Sequence, residues 1–313
     1  MATTTAPPEL VAAGSTIRTN RVGRVARRTF VYLFLIVVAI LIFMPSYVVL
    51  VNALKPFSEV HPTTMWQPPT SGISLESFQR GWLAVNNNMI ASAKVTIPAA
   101  IVSSLLGSIN GYVFAKWRFR YSNIIFLLVL FGLFLPYQGI LIPLVITLTQ
   151  IKAPCILLTA DFDRAFEICT FYGTIPGLVL THTIFGIPIT ALIFRAYFVS
   201  VPTDLIEAAR VDGAGFFGVY RHIMFPIAAP AFAVVLIWQF TQIWNDYLLS
   251  LSILNNPKDA PVMVGVVNTS NSYFIEYNVQ FAAALLVSIP TLLFYFLLGR
   301  LFMRGLLAGA VKG

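Results

Sequence analysis

The sequence predicts an all-α integral membrane protein with six transmembrane helices, on three observations. Of its 313 residues, 58% are hydrophobic and 10% charged, with a mean hydropathy of +0.82. A soluble domain carries about 25% charged residues, so this much apolar surface calls for lipid as the solvent. Six apolar runs, at 29–51, 89–114, 122–148, 174–198, 224–248 and 279–303, are long enough at about 1.5 Å per residue to cross a hydrocarbon core about 30 Å thick. Finally, fourteen of the twenty Lys and Arg fall on the N-terminal tail, the 115–121 and 195–222 loops and the C-terminal end, and six on the opposite side. That excess makes the first side cytoplasmic and puts both termini there.

The elements follow in order. Residues 1–28 form a polar tail with Arg18, Arg21, Arg24, Arg27 and Arg28. Basic residues ahead of an apolar run also open signal peptides, but Thr29–Val51 is too long for a signal core and lacks a small-residue cleavage site. The second run holds Lys94, Ser103, Ser104, Ser108 and Asn110, which turns it toward other helices rather than lipid. The outer loops carry most of the acidic residues: Glu59, Glu76, Asp161, Asp163, Glu167, Asp259 and Glu276. The first of these loops contains Trp66-Gln67-Pro68-Pro69, an extended surface segment.

The chain is organised around the stretch Pro202–Pro230, which is polar and helix-prone between two apolar runs. Asp204 with Glu207 three residues on reads as a capping box, and Glu207 to Arg210 suit a short helix. Gly213 suits the left-handed residue that ends such a helix. A second helical segment, Phe216–His222, leads to Pro226 and Pro230. Two short helices joined by a glycine turn make a compact knob on the membrane face; the bland alternative is an ordinary amphipathic cytoplasmic loop.

Glu207-Ala208-Ala209, Gly213, Ile223 and Pro226 stand at spacings that resemble the EAA loop of permease subunits in ATP-binding-cassette importers. Pro136-x-Gln138 followed by Ile142-Pro143-Leu144 is similar to the third helix of maltose-type carbohydrate permeases. The end Gly305–Gly313 resembles the tail of the shorter of their two permease subunits. The likeness covers about residues 30 to 313. It implies a type I ABC importer permease (MetI-like) fold: a cytoplasmic tail at 1–28, a permease domain at 29–303 with a cytoplasmic EAA coupling loop at 200–222, and a cytoplasmic tail at 304–313. It implies ATPase-coupling residues at Glu207, Ala208, Ala209, Asp212, Gly213, Ile223 and Pro226, with Lys312 and Gly313 reaching the ATPase subunits.

The function so implied is import of a mono- or oligosaccharide through one half of a heterodimeric pathway in a bacterial or archaeal inner membrane. The expected partners are a second permease, dimeric ATPase subunits, an extracytoplasmic sugar-binding protein that meets the Ser250–Asn278 loop, and membrane lipid. ATP and Mg would be bound by the ATPase, and no cofactor by this chain. Import of a polyol or other small hydroxylated solute is the nearest alternative. An ATPase-independent secondary transporter would need acid–base pairs deep in the helices, which the sequence does not display.

Other chemistries lack their residues. The chain has no GxxxxGK[ST] phosphate loop, HExxH or GxSxG. His61, His182 and His222 have no ligand spacing, and Cys155 and Cys169 form no CxxC. The net charge of +8 sits at membrane ends rather than in a stripe, so no nucleic-acid partner is expected. Polar residues inside the runs carry the remaining signal: Gln138, His182, Gln239, Asn245 and Asp246. Gln138 and Gln239 each fall about 24 Å up their helices, in the outer half. With Tyr137, Phe185, Trp238, Trp244 and Tyr247 they supply the amides, carboxylate and rings that a sugar site needs. The alternatives stay open: helix–helix hydrogen bonding for Gln239 and His182, and an interfacial position for Trp244 and Asp246.

One departure from the family stands out. Ile151–Thr170 replaces a short turn and holds Cys155 and Cys169. It is either an outer elaboration, clipped by a disulfide in an oxidising compartment, or an irregular stretch without function.

Overall fold

The computed structural model describes residues 21–117, 119–159, 167–269 and 276–310. Residues up to Val48 form one compact unit and Val49–Gly313 the other. Helix α1 (Arg21–Ala53) runs across that boundary. Its apolar side chains in the first unit are exposed, Phe30 by 70% and Phe43 by 69%, a surface suited to lipid.

In the second unit, α2 (Glu76–Lys116) has 41 residues, about 60 Å of helix. It begins well before the expected residue 89. Asn86-Asn87-Asn88 reads as a loop in isolation, yet Ser77, Gly81 and Val85 are buried there. The Gly81 backbone lies against Val279 and Ala283 of α13 (Tyr277–Ala310), so packing overrides the polar run.

The third span is broken rather than continuous over 122–148. It consists of α3 (Ser122–Phe131), two 3-10 turns (Gly132–Phe134 and Tyr137–Ile140) and α4 (Leu141–Gln150), with the two halves bent by 90°. The cause is Pro136, which forces Leu135 into an extended conformation at ψ 116°.

The 151–170 stretch forms a small antiparallel hairpin of β1 (Lys152–Pro154) and β2 (Ile168–Thr170), with the short helix α5 (Cys155–Thr159) following β1. Cys155 and Cys169 are joined in a disulfide, with Cα atoms 4.8 Å apart. Asp161, Asp163 and Arg164 lie outside the described residues.

Helix α6 (Ile175–Val199) matches the expected fourth span within a residue at each end. Thr174 caps it, accepting the N–H of Gly177 at 3.2 Å. Next come α7 (Asp204–Val211), α8 (Phe216–Val219), a π-helical turn at Tyr220–Met224, and α9 (Phe225–Ile227). The fifth span proper is α10 (Ala229–Trp244), not 224–248. Phe216–Ile227 meets it at 76°. Pro230 removes the N–H that would continue the ladder across that bend. After α10 come α11 (Leu248–Ile253), a 3-10 turn at Pro257–Asp259, α12 (Val262–Asn268) and α13.

Four described helices, α1, α2, α6 and α13, are long and apolar enough to cross a membrane, and the two bent pairs bring the number to as many as six. The centre is the α2–α6 contact. Ser103 is buried in it, and Ser104 and Ser108 are buried on other faces of α2, as their polarity predicts. A Cβ added at Gly107 would lie 1.9 Å from Thr190 Oγ1, and one at Gly111 would lie 2.6 Å from Phe194 Cβ. Small residues let the two backbones approach, as membrane helices require. Thr190 Oγ1 then donates across the seam to the Ser103 carbonyl at 3.1 Å.

Candidate coupling face and membrane cavity

The knob is built on a buried base. Ile206, Val219 and Met224 pack with Tyr112, Phe194 and Phe198 in one core cluster. Trp117 closes one side, its ring 5.1 Å from Phe216 and beneath the Arg210 guanidinium at 4.8 Å. The Tyr220 hydroxyl hydrogen-bonds the Ser108 hydroxyl of α2. The knob is therefore tied to α2 and α6 by apolar packing and to α10 by continuous backbone.

The expected capping box is not formed. Thr203, not Asp204, precedes the first helical residue, and it makes no side-chain cap. Its carbonyl accepts the N–H groups of Ile206 at 2.9 Å and Glu207 at 3.0 Å. The C-terminal end is as expected. Gly213 has φ +86°, its N–H bonds the Arg210 carbonyl at 3.0 Å, and the Ala214 N–H bonds that of Ala209 at 2.9 Å. This is the Schellman closure, which glycine makes without a Cβ penalty.

Glu207, Ala208, Asp212, Gly213 and Pro226 are exposed, while Ala209 and Ile223 are half-buried against the base. Lys312 and Gly313 lie outside the described residues. Sequence reasoning missed two members of this face: Val211, exposed by 88%, and Phe217, exposed by 72%. Val211 and Phe217 stand among Leu205, Ile206, Phe216 and Val219 in the same loop, and only packing separates the exposed members from the buried ones.

A cavity of about 620 Å³ opens between the break of the third span, α6 and the α10–α11 joint. His182, Gln239, Asn245 and Asp246 line it, as do Tyr137, Phe185, Trp238 and Tyr247. Gln138 and Trp244 do not. Gln138 is an exposed residue of the 3-10 turn. Trp244 is buried on the opposite face, stacked on Phe240 at 5.4 Å and donating from Nε1 to the Val287 carbonyl at 3.0 Å. Gln239 serves as a helix–helix bond as well as a wall: its Nε2 donates to Ser103 Oγ at 2.7 Å. Gln242, which the sequence reading passed over, is exposed in the lining.

Asp246 caps α11. Its carboxylate accepts the N–H of Leu249 at 3.3 Å, the N–H of Ser250 at 2.9 Å and the Ser250 hydroxyl at 2.8 Å. His182 Nε2 lies 3.6 Å from Asp246 Oδ2, with both side chains more than nine-tenths buried. The fold thus sets an imidazole of α6 beside a carboxylate of the α10–α11 joint at the cavity wall.

The chain was compared with known proteins. The family model described as "Binding-protein-dependent transport system inner membrane component" matches residues 103–307. A probable ABC transporter permease protein of Pyrococcus horikoshii is 39% identical over 204 residues, covering 65% of this chain and 68% of that one. The xylose/arabinose import permease protein of Haloferax volcanii is 31% identical over 82% of this chain and 84% of its own length. Among solved structures, a chain of a bacterial ABC transporter involved in the import of the acidic polysaccharide alginate shares the fold. Its TM-score is 0.69 at 17% identity, over 91% of this chain and 98% of that one. A helical bundle with two broken spans, a buttressed polar knob and a family match over most of its length place this chain among the inner membrane components of binding-protein-dependent transport systems.

Proposed function

We propose that this chain is one of two permease subunits in an ATP-driven sugar importer, and that its knob is the element that docks on the ATPase. The observation that carries the reading is the knob itself. An exposed carboxylate, Glu207, and exposed apolar residues, Val211 and Phe217, stand on a base that is fully packed. A surface of that kind suits a groove on a partner. Its rigid base passes displacement to α10, which walls the cavity. The pathway would alternate between outward and inward access, with a binding protein delivering sugar to the outer face. ATP and Mg would be held by the ATPase subunits.

Sugar as the cargo is supported by the xylose/arabinose permease relative and by a cavity that combines amides, a carboxylate and aromatic rings. The orientation is supported twice. The basic excess puts the knob and both termini on the cytoplasmic side, and a disulfide at Cys155–Cys169 suits the oxidising outer side.

The test is copurification with parallel uptake, using the complete transporter in a host that lacks sugar transport. Glu207→Ala should lower ATPase recovery, because an unpaired partner charge in a partly desolvated groove costs about 2–5 kcal/mol. Val211→Asp and Phe217→Ala should do the same. Full ATPase recovery together with wild-type uptake in all three variants would remove the docking assignment.

A further inference from the structure

Asp246 is the one carboxylate among the described lining residues of the cavity. Asp246 accepts three hydrogen bonds from Leu249 and Ser250, an acceptor-only role that belongs to the ionised carboxylate. The group facing it is His182, whose buried Nε2 has no hydrogen-bond partner among the described residues. No lysine or arginine is among the described lining residues. The other polar side chains there are the amides of Gln239, Gln242 and Asn245 and the hydroxyls of Tyr137 and Tyr247. A fixed carboxylate of this kind repels a second anion. At an effective dielectric constant of about 20 and a separation of about 6 Å, the repulsion is worth roughly a hundredfold in occupancy.

We propose that Asp246, positioned against His182, makes this cavity a subsite for neutral polyhydroxylated solutes and turns away carboxylated sugars. The unpartnered His182 Nε2 is the group that a sugar hydroxyl satisfies, and the surrounding rings take the apolar faces of the sugar. Rejection arises from like charge rather than from size, which is how specificity against a close analogue is commonly built. The proposal rests on the reading of this chain as a sugar permease.

The test is charge-selective labelling of Gln242→Cys, since Gln242 is exposed in the lining and both native cysteines are in a disulfide. The assembled transporter is treated with hydroxyethyl (neutral), sulfonatoethyl (anionic) and trimethylammonioethyl (cationic) methanethiosulfonate. Each rate is divided by that of the same reagent with free 2-mercaptoethanol. The anionic reagent should react at least about tenfold more slowly than the neutral one. Adding Asp246→Asn, which keeps an oxygen to cap α11, should bring the two within about threefold. Ser58→Cys, on an exposed outer segment, should show no such change and so reports an intact fold.

Equal anionic and neutral rates in Gln242→Cys, anionic exclusion that survives Asp246→Asn, or failure of all three reagents to label would each overturn the proposal. Labelling does not depend on the ATPase. Charge selectivity together with wild-type coupling in the knob variants would therefore remove the docking reading and leave the subsite standing.

Discussion

Gly213 shows how much one residue decides. Its φ of +86° is forced by the closure of α7, yet nothing stands within 4 Å of where a Cβ would be. A side chain there is strained without being crowded, by about 1–2 kcal/mol in the left-handed region. Gly213→Asn should therefore keep most uptake, while Gly213→Val should retain some attached ATPase and lose transport, read by copurification and uptake together. Glu59, in the segment after α1, gives a pH test. Its carboxylate accepts the N–H groups of Thr70 at 2.9 Å and Ser71 at 2.7 Å, and bonding from Ser71 first, then Thr70, holds its pKa at about 2 against an ordinary 4.5. A depressed carboxylate contributes stability above its unfolded value and loses it as pH falls through the folded one. Pepsin should leave the 59–71 loop intact at pH 4 and cut it near pH 2, while Glu59→Gln should be cut at both. Cleavage at pH 4 in the unaltered chain would show that this carboxylate does not hold the loop. Gly213 was legible in the sequence because only glycine suits that turn. The Glu59 contact was not, because its partners lie more than ten residues on.

Among elements, the α2–α6 seam and the β1–β2 hairpin make separate predictions. Gly107→Ala places a methyl 1.9 Å from Thr190 Oγ1 and should cost about 1–3 kcal/mol, visible as a lowered melting temperature in detergent. Gly299→Ala, with nothing within 4 Å, should melt no earlier than the unaltered chain. An equal effect at both positions would mean helix propensity, not the seam, sets the cost. For the hairpin, a membrane-impermeant maleimide added outside intact cells should label Cys155 and Cys169 only after a reductant, since the two are bonded. Labelling after reductant only in inverted vesicles would place the hairpin inside. Periodicity and hydropathy found α6 nearly to the residue, but they ran the third and fifth spans straight through Pro136 and Ala228. The mean hydropathy of an apolar run is the same whether or not it bends, and the 90° and 76° breaks fall beside Pro136 and Pro230.

For the molecule as a whole, topology is the direct check. Reporters active only outside the cell should be silent when fused at residue 20 and at residue 310; activity at 310 would mean an odd number of spans. Composition, run length and the placement of arginines determined the membrane class, the approximate place of each apolar run and the expected sidedness, because these depend on transfer of residues between water and lipid and hardly on contacts between helices. The spacing from Glu207 to Pro226 marked the knob for a similar reason, since it lies within one continuous short stretch of chain. Tertiary structure alone decided which polar residues meet. Trp244 and Asp246 are two residues apart, yet a hydrogen bond to Val287 takes one to α13, and the cap of α11 holds the other beside His182. His182 belongs to α6 and Asp246 to the joint between α10 and α11. No reading along the chain brings them together, because their 3.6 Å separation is set by how closely small residues allow α6 to approach α2 and α10.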